Sequence, residues 1–200
     1  MLTNALSASL LIAASQAASG TYDYVDIGDN WKAAGFPSPD CAAGREQSPI
    51  DLVKATFSTD SEQPDMKFEG YDYKDYTEGR ELLNGGQNST LKMNLDSGNL
   101  RTQFPDGTTD SFNALQFHFH SPSEHSVNGK LLPLEMHVVH VHEDPAKFSV
   151  IGFFFEVGDT ENEFIKQLGF DAATGETNPL TDVDFGTFLG SVDIISKIVF

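Results

Sequence analysis

The sequence predicts a mostly β fold, and three observations carry that expectation. Short β-type segments separated by turn clusters recur from residue 47 onward. Apolar and polar residues alternate as in a half-buried strand, for example in Leu91-Lys92-Met93-Asn94-Leu95. Two histidine-bearing stretches, 116–120 and 135–142, carry the same period of two. At 200 residues the chain suits one domain with a real core.

Residues 1–18 hold an apolar run, 5–14, too short to span a bilayer, followed by Ser15-Gln16-Ala17. This predicts a secretory signal peptide, although its first residues lack Lys or Arg, and leaves 20–200 as the folded domain. Residues 20–50 are loop-like, with Tyr22, Tyr24 and Trp31 set among Gly and Asp. Strand-like stretches follow at 67–71, Leu82-Leu83 and 91–95, with turns at 72–79, 84–86, 96–99 and 105–107. The run F-S-V-I-G-F-F-F-E-V at 148–157 predicts a strand at the centre of the sheet. Phe164, Ile165 and Leu168 stand at helical spacing within 161–169, and Gly169 is a natural stop. Residues 171–187 are expected to be loop. The chain contains no internal repeat, low-complexity tract or linker.

Thirty acidic residues against 12 basic ones give a formal charge of −18. Such a polyanion repels nucleic acid and anionic membranes, and no second apolar run is long enough for a membrane span. Cys41 is the only cysteine, so no internal disulfide forms. Asn88-Ser89-Thr90 is a glycosylation sequon, meaningful only on a eukaryotic secretory route.

All six histidines lie between residues 116 and 142. On a strand, His118 and His120 point one way and Phe117 and Phe119 the other. Pro122, Asn128, Gly129, Lys130 and Pro133 break the chain before the second stretch. There His137 shares a face with Glu135, Val139 and Val141, while His140 and His142 take the opposite face. Antiparallel pairing of the two strands would bring His118, His120 and His137 to one point, a three-imidazole set for zinc with a fourth position open. Gln116 and Glu135 each precede a candidate ligand by two residues on its own face, where they can accept its second N–H. A metal-independent β domain with a surface histidine cluster is the plainer alternative.

The segments Q-F-H-F-H, S-E-H and E-M-H-V-V-H, with Q-S-P-I at 47–50, resemble the signature of the alpha-class carbonic anhydrases. P-S-E-H followed by N-G-K is most similar to the bacterial, algal and plant-like members. The resemblance covers roughly residues 22–191. It implies a large, mainly antiparallel twisted central sheet with a few short peripheral helices. It implies reversible hydration of carbon dioxide to bicarbonate by hydroxide held on zinc, with His118, His120 and His137 as ligands and Gln116 and Glu135 behind them. It further implies that Glu124 orients a hydroxyl beside the zinc-bound oxygen. Val139 and Val150 would line an apolar pocket for carbon dioxide, and the N-terminal aromatics would pack over the site.

This sequence departs from the family pattern in two places. Where fast members carry a proton-shuttling His, alignment on Leu83-Asn84-Gly85-Gly86 places Gln87, which does not titrate near neutrality. The family's G-S-L-T-T-P-P-C is replaced by Gly190-Ser191-Val192-Asp193 and a divergent tail at 192–200. The threonine expected beside Glu124 falls at Asp193, and the usual cysteine partner of Cys41 is absent. A C-terminally truncated member is thus expected, either active or a silent zinc-binding domain.

Overall fold

The computed structural model describes residues 48–53, 65–71, 81–84, 91–95, 97–168, 176–179, 183 and 185–191. All of them fall in one compact unit, Ser48–Phe200. The expected signal peptide, Tyr22, Tyr24, Trp31, Cys41, Gln47, Gln87, Asn88 and the 192–200 tail lie outside the described residues.

Eleven described strands and two described helices make up the fold, which is mostly β as expected. The strands are β1 (Asp51–Leu52), β2 (Asp65–Glu69), β3 (Glu81–Asn84), β4 (Leu91–Asn94), β5 (Asn99–Gln103) and β6 (Thr109–His120). Then come β7 (Ser126–Val127), β8 (Lys130–Leu131), β9 (Leu134–Val141), β10 (Phe148–Phe155) and β11 (Thr177–Pro179). The helices are α1 (Glu163–Leu168) and α2 (Phe185–Ser191). An eight-stranded antiparallel sheet runs β10-β9-β6-β4-β3-β11, with β5 pairing β6 and β2 pairing β5. A small second sheet, β1-β7-β8, takes β7 and β8 from the chain path between β6 and β9 and adds β1 in parallel to β7. Its β7–β8 turn has Asn128 at φ 51° and Gly129 at φ 75°, the left-handed pair that a tight hairpin needs.

Two expectations are corrected. The 148–157 strand is not central: among the described strands β10 pairs only with β9 and ends the ladder. Its apolar run reflects one face packed beneath helices, since Ile151 and Phe153 are buried while Phe148 and Gly152 are exposed. Residues 171–187 are not all loop, because β11 and the start of α2 fall within them. The sequence F-G-T-F-L-G-S of α2 carries two glycines and has little intrinsic helicity. It is held by burial of Phe185, Phe188 and Leu189 against the sheet instead.

The core lies on one face of the large sheet. Phe117, Met136, Val138 and Phe153 point into it and meet Phe164 and Leu168 of α1 and Phe185 and Phe188 of α2. Phe188 stacks on Phe164 with centroids 4.3 Å apart, and Phe185 stacks on Phe117 at 5.3 Å. The opposite face carries His118, His120 and His137.

A β-bulge decides which side chains reach that face. The β6–β9 register shifts between Ala114 and Gln116. Before the shift Phe112 and Ala114 are buried; after it Phe117 and Phe119 are, and Leu115 is left exposed. The extra residue inverts the alternation, so Gln116, His118 and His120 turn away from the core.

Candidate metal centre

The antiparallel register sets His118 directly opposite His137 on neighbouring strands. His120 follows on the same face of β6. The three rings lie 4.8–5.2 Å apart between centroids. One ring nitrogen from each falls within 4.8 Å of the others. Tetrahedral zinc with bonds of about 2.0–2.1 Å asks for nitrogens roughly 3.4 Å apart, so a small contraction closes the set.

Hydrogen bonds fix two of the tautomers. His118 Nδ1–H donates to Gln116 Oε1 at 2.8 Å, which makes Nε2 the donor atom for a metal. His137 Nε2–H donates to Glu135 Oε1 at 2.8 Å, which leaves the lone pair on Nδ1. Gln116 thus backs His118 and Glu135 backs His137, each from two residues earlier on the same face. Burial lowers the His120 pKa against the attraction of Glu124, which favours the neutral imidazole a metal requires. The donor set thus fits zinc.

Glu124 also faces this point. Its Oε2 is 3.3 Å from His120 Nε2 and 3.8 Å from His137 Nδ1. Val139 and Val150 are cross-strand partners, half-buried, on the face that bears His137. His140 and His142 turn away from the cluster. His140 is fully buried, donates from Nδ1 to the Ser149 carbonyl and accepts from the Tyr71 hydroxyl at Nε2. His142 packs on Phe112 near Asp110.

Among the described residues, Glu135 accepts four hydrogen bonds. Oε1 accepts from His137 and from His125 Nδ1 at 2.7 Å, and Oε2 accepts the backbone N–H groups of Glu124 and His125 at 2.8 and 2.9 Å. Burial opposes its charge, but hydrogen bonds from His125 and His137 outweigh that and hold the carboxyl below its usual range. His125, Glu135 and His137 also satisfy the spacing of a metal group. The atoms concerned already bond to one another, so this is a hydrogen-bonded network. The sequence offered S-E-H as a motif but no role for its histidine. Nor does spacing reveal Ser48, whose hydroxyl meets His125 Nε2 at 2.9 Å from 77 residues away.

The family model for eukaryotic-type carbonic anhydrase matches residues 27–192. The chain belongs to the carbonic anhydrase family. Among the relatives, alpha carbonic anhydrase 4 of Arabidopsis thaliana is 33% identical over 142 residues, 71% of this chain and 46% of that protein. Carbonic anhydrase of Pectobacterium carotovorum is 33% identical over 162 residues, 78% of this chain and 59% of that protein. The chain thus spans about half the length of the curated relatives it matches. The alpha-carbonic anhydrase of Thermovibrio ammonificans, solved with sulfanilamide as inhibitor, superposes with a TM-score of 0.63 at 30% identity. That match covers 84% of this chain and 70% of that one. The fungal alpha carbonic anhydrase of Aspergillus oryzae superposes at 0.61 with 26% identity, over 85% and 70% of the two chains. The antiparallel sheet with short helices is therefore the family's fold.

Proposed function

We propose that this carbonic anhydrase family member is a secreted zinc lyase interconverting carbon dioxide and bicarbonate. The observation that carries the reading is the convergence of three imidazoles, two of them held by Gln116 and Glu135 in the tautomer that a metal takes. His118, His120 and His137 would hold the ion. A zinc ion bound there supplies Lewis acidity that makes water a nucleophile near neutral pH, behaviour for which carbonic anhydrases are the standard example. Three neutral ligands leave the centre's net charge positive.

The chain's own residues do the rest. Gln116 and Glu135 keep the rings in register. Val139 and Val150 offer an apolar wall beside them on which carbon dioxide can rest. Gln87, at the shuttle position, leaves proton export to buffer and makes turnover rise with added imidazole. The apolar leader at 1–18 directs export.

Glu124 supports a second reading, a silent zinc-binding domain. Its carboxylate oxygen stands within 3.8 Å of two prospective ligand nitrogens. A carboxylate that close disfavours a developing anion beside it. Carbon dioxide hydration by the purified chain, with zinc content measured on the same sample and a sulfonamide as control, tests both readings. One zinc per chain with sulfonamide-sensitive hydration supports the lyase. One zinc per chain without hydration supports the silent domain, and no bound zinc sinks both.

A further inference from the structure

We propose that Ser48 and His125 are a positioning pair that sets how long the metal stays on the protein, acting on His137 through Glu135. This rests on the zinc reading above and extends it to residues outside the ligand set and its direct partners.

Glu135 Oε1 is shared by two imidazoles, His137 at 2.8 Å and His125 at 2.7 Å. The orientation of a metal ligand therefore depends on a second histidine that touches no metal. His125 gives its Nδ1–H to that carboxylate, so its Nε2 is an acceptor and the Ser48 hydroxyl donates to it at 2.9 Å. A continuous chain results: Ser48 hydroxyl, His125 ring, Glu135 carboxylate, His137 ring.

Each end of that chain is tied down. Segment 50–52 is laced to the loop that follows His125. Ser126 N–H donates to the Ile50 carbonyl at 3.3 Å, and Asn128 N–H donates to the Leu52 carbonyl at 3.2 Å. The Asp51 carboxylate accepts from Ser126 Oγ at 2.7 Å and from Gly129 N–H at 2.8 Å. These bonds hold Ser48 over the imidazole. At the other end Glu135 Oε2 binds the Glu124 and His125 backbone, so the carboxylate pivots only if Oε1 loses a donor. Gly152 faces that oxygen without a side chain, which leaves His125 and His137 as its lateral supports.

Removal of His125 deletes one of those two supports. Oε1 then swings, His137 loses its fixed orientation, and the metal leaves sooner. Removal of the Ser48 hydroxyl takes away the donor at His125 Nε2 and has the same effect at smaller scale.

The test uses the full zinc-loaded chain, with zinc release timed in excess dipicolinate and cobalt(II) absorption recorded on the metal-exchanged chain. Expected release is about threefold faster in Ser48→Ala and about tenfold faster in His125→Asn, up to the lower end of what loss of a ligand's partner costs. Ser48→Thr keeps the hydroxyl and returns the wild-type rate. The cobalt bands shift in His125→Asn and stay in place in Ser48→Thr. Release at the wild-type rate in both Ser48→Ala and His125→Asn overturns the pairing. So do rates that merely follow thermal stability while the cobalt bands stay unmoved. A wild-type chain that takes up no stoichiometric zinc overturns the metal reading itself, a failure visible before any variant is made.

Discussion

At the scale of single residues, the site is a matter of which nitrogen carries the proton. Gln116 fixes that choice for His118 from one strand position away on the same face. Gln116→Ala removes the acceptor at His118 Nδ1, and zinc affinity is expected to fall about tenfold, measured by competition with a chromophoric chelator. An unchanged affinity would mean that the amide plays no part in holding the ring. His140 makes a different prediction. Burial, against the pull of the Ser149 and Val138 backbone, lowers its pKa from 6.5 to about 4. Above pH 6.5 both the folded and unfolded chains carry it neutral. As pH falls below 6.5 the unfolded chain binds a proton that the fold refuses, so stability is lost down to about pH 4 and then levels off. The total is about 3 kcal/mol at one shifted residue. Urea unfolding between pH 7.5 and 4.5 should therefore slope more steeply for wild type than for His140→Gln, even though the variant starts less stable. Equal slopes would remove His140 from the account. Local alternation was enough to separate His137 from His140 and to pair His118 with Gln116 and His137 with Glu135. It held no information about Ser48 and His125, because their meeting depends on two distant segments being laced together.

At the scale of elements, the decisive features are a bulge and a missing side chain. The alternation of β6 was legible from residue 116 onward, and that part of the strand carries the candidate ligands His118 and His120. The inversion at Leu115 was not, because a bulge arises from pairing with β9 and leaves no local mark. The rank of β10 in the sheet was also hidden. An apolar strand under two helices has much the same composition as one between two neighbours. Gly152 shows what β10 contributes to the site. A Cβ there would sit 3.2 Å from Glu135 Oε1 and 3.7 Å from His137 Cδ2. Gly152→Val should improve the strand, since glycine inside a strand is weak and valine is favoured. It should also push Glu135 aside and lower zinc affinity by roughly tenfold. Metal-free thermal stability that holds or rises while affinity falls is the expected pattern. An affinity that does not move would show that Glu135 has room to spare.

At the scale of the whole molecule, the large sheet separates two jobs. One face is an aromatic core that joins strands to helices, and the other presents imidazoles. Phe188 shows the first job, stacking on Phe164 at 4.3 Å and on Phe155 at 5.9 Å and meeting Phe153 edge-on at 5.4 Å. Truncation to alanine should cost about 3–5 kcal/mol through lost burial and the cavity left behind. Metal bound to the native state alone adds stability set by its concentration and affinity. These two contributions sit on opposite faces of the sheet, so they should add. Calorimetry of Phe188→Ala with zinc and with excess chelator should show both transitions lowered together, with the gap between them as in wild type. Gln116→Ala should do the reverse, leaving the metal-free transition nearly in place and narrowing the gap. If Phe188→Ala narrows the gap as well, packing and metal geometry are coupled through the strands. The sheet would then be transmitting strain between its faces instead of isolating them.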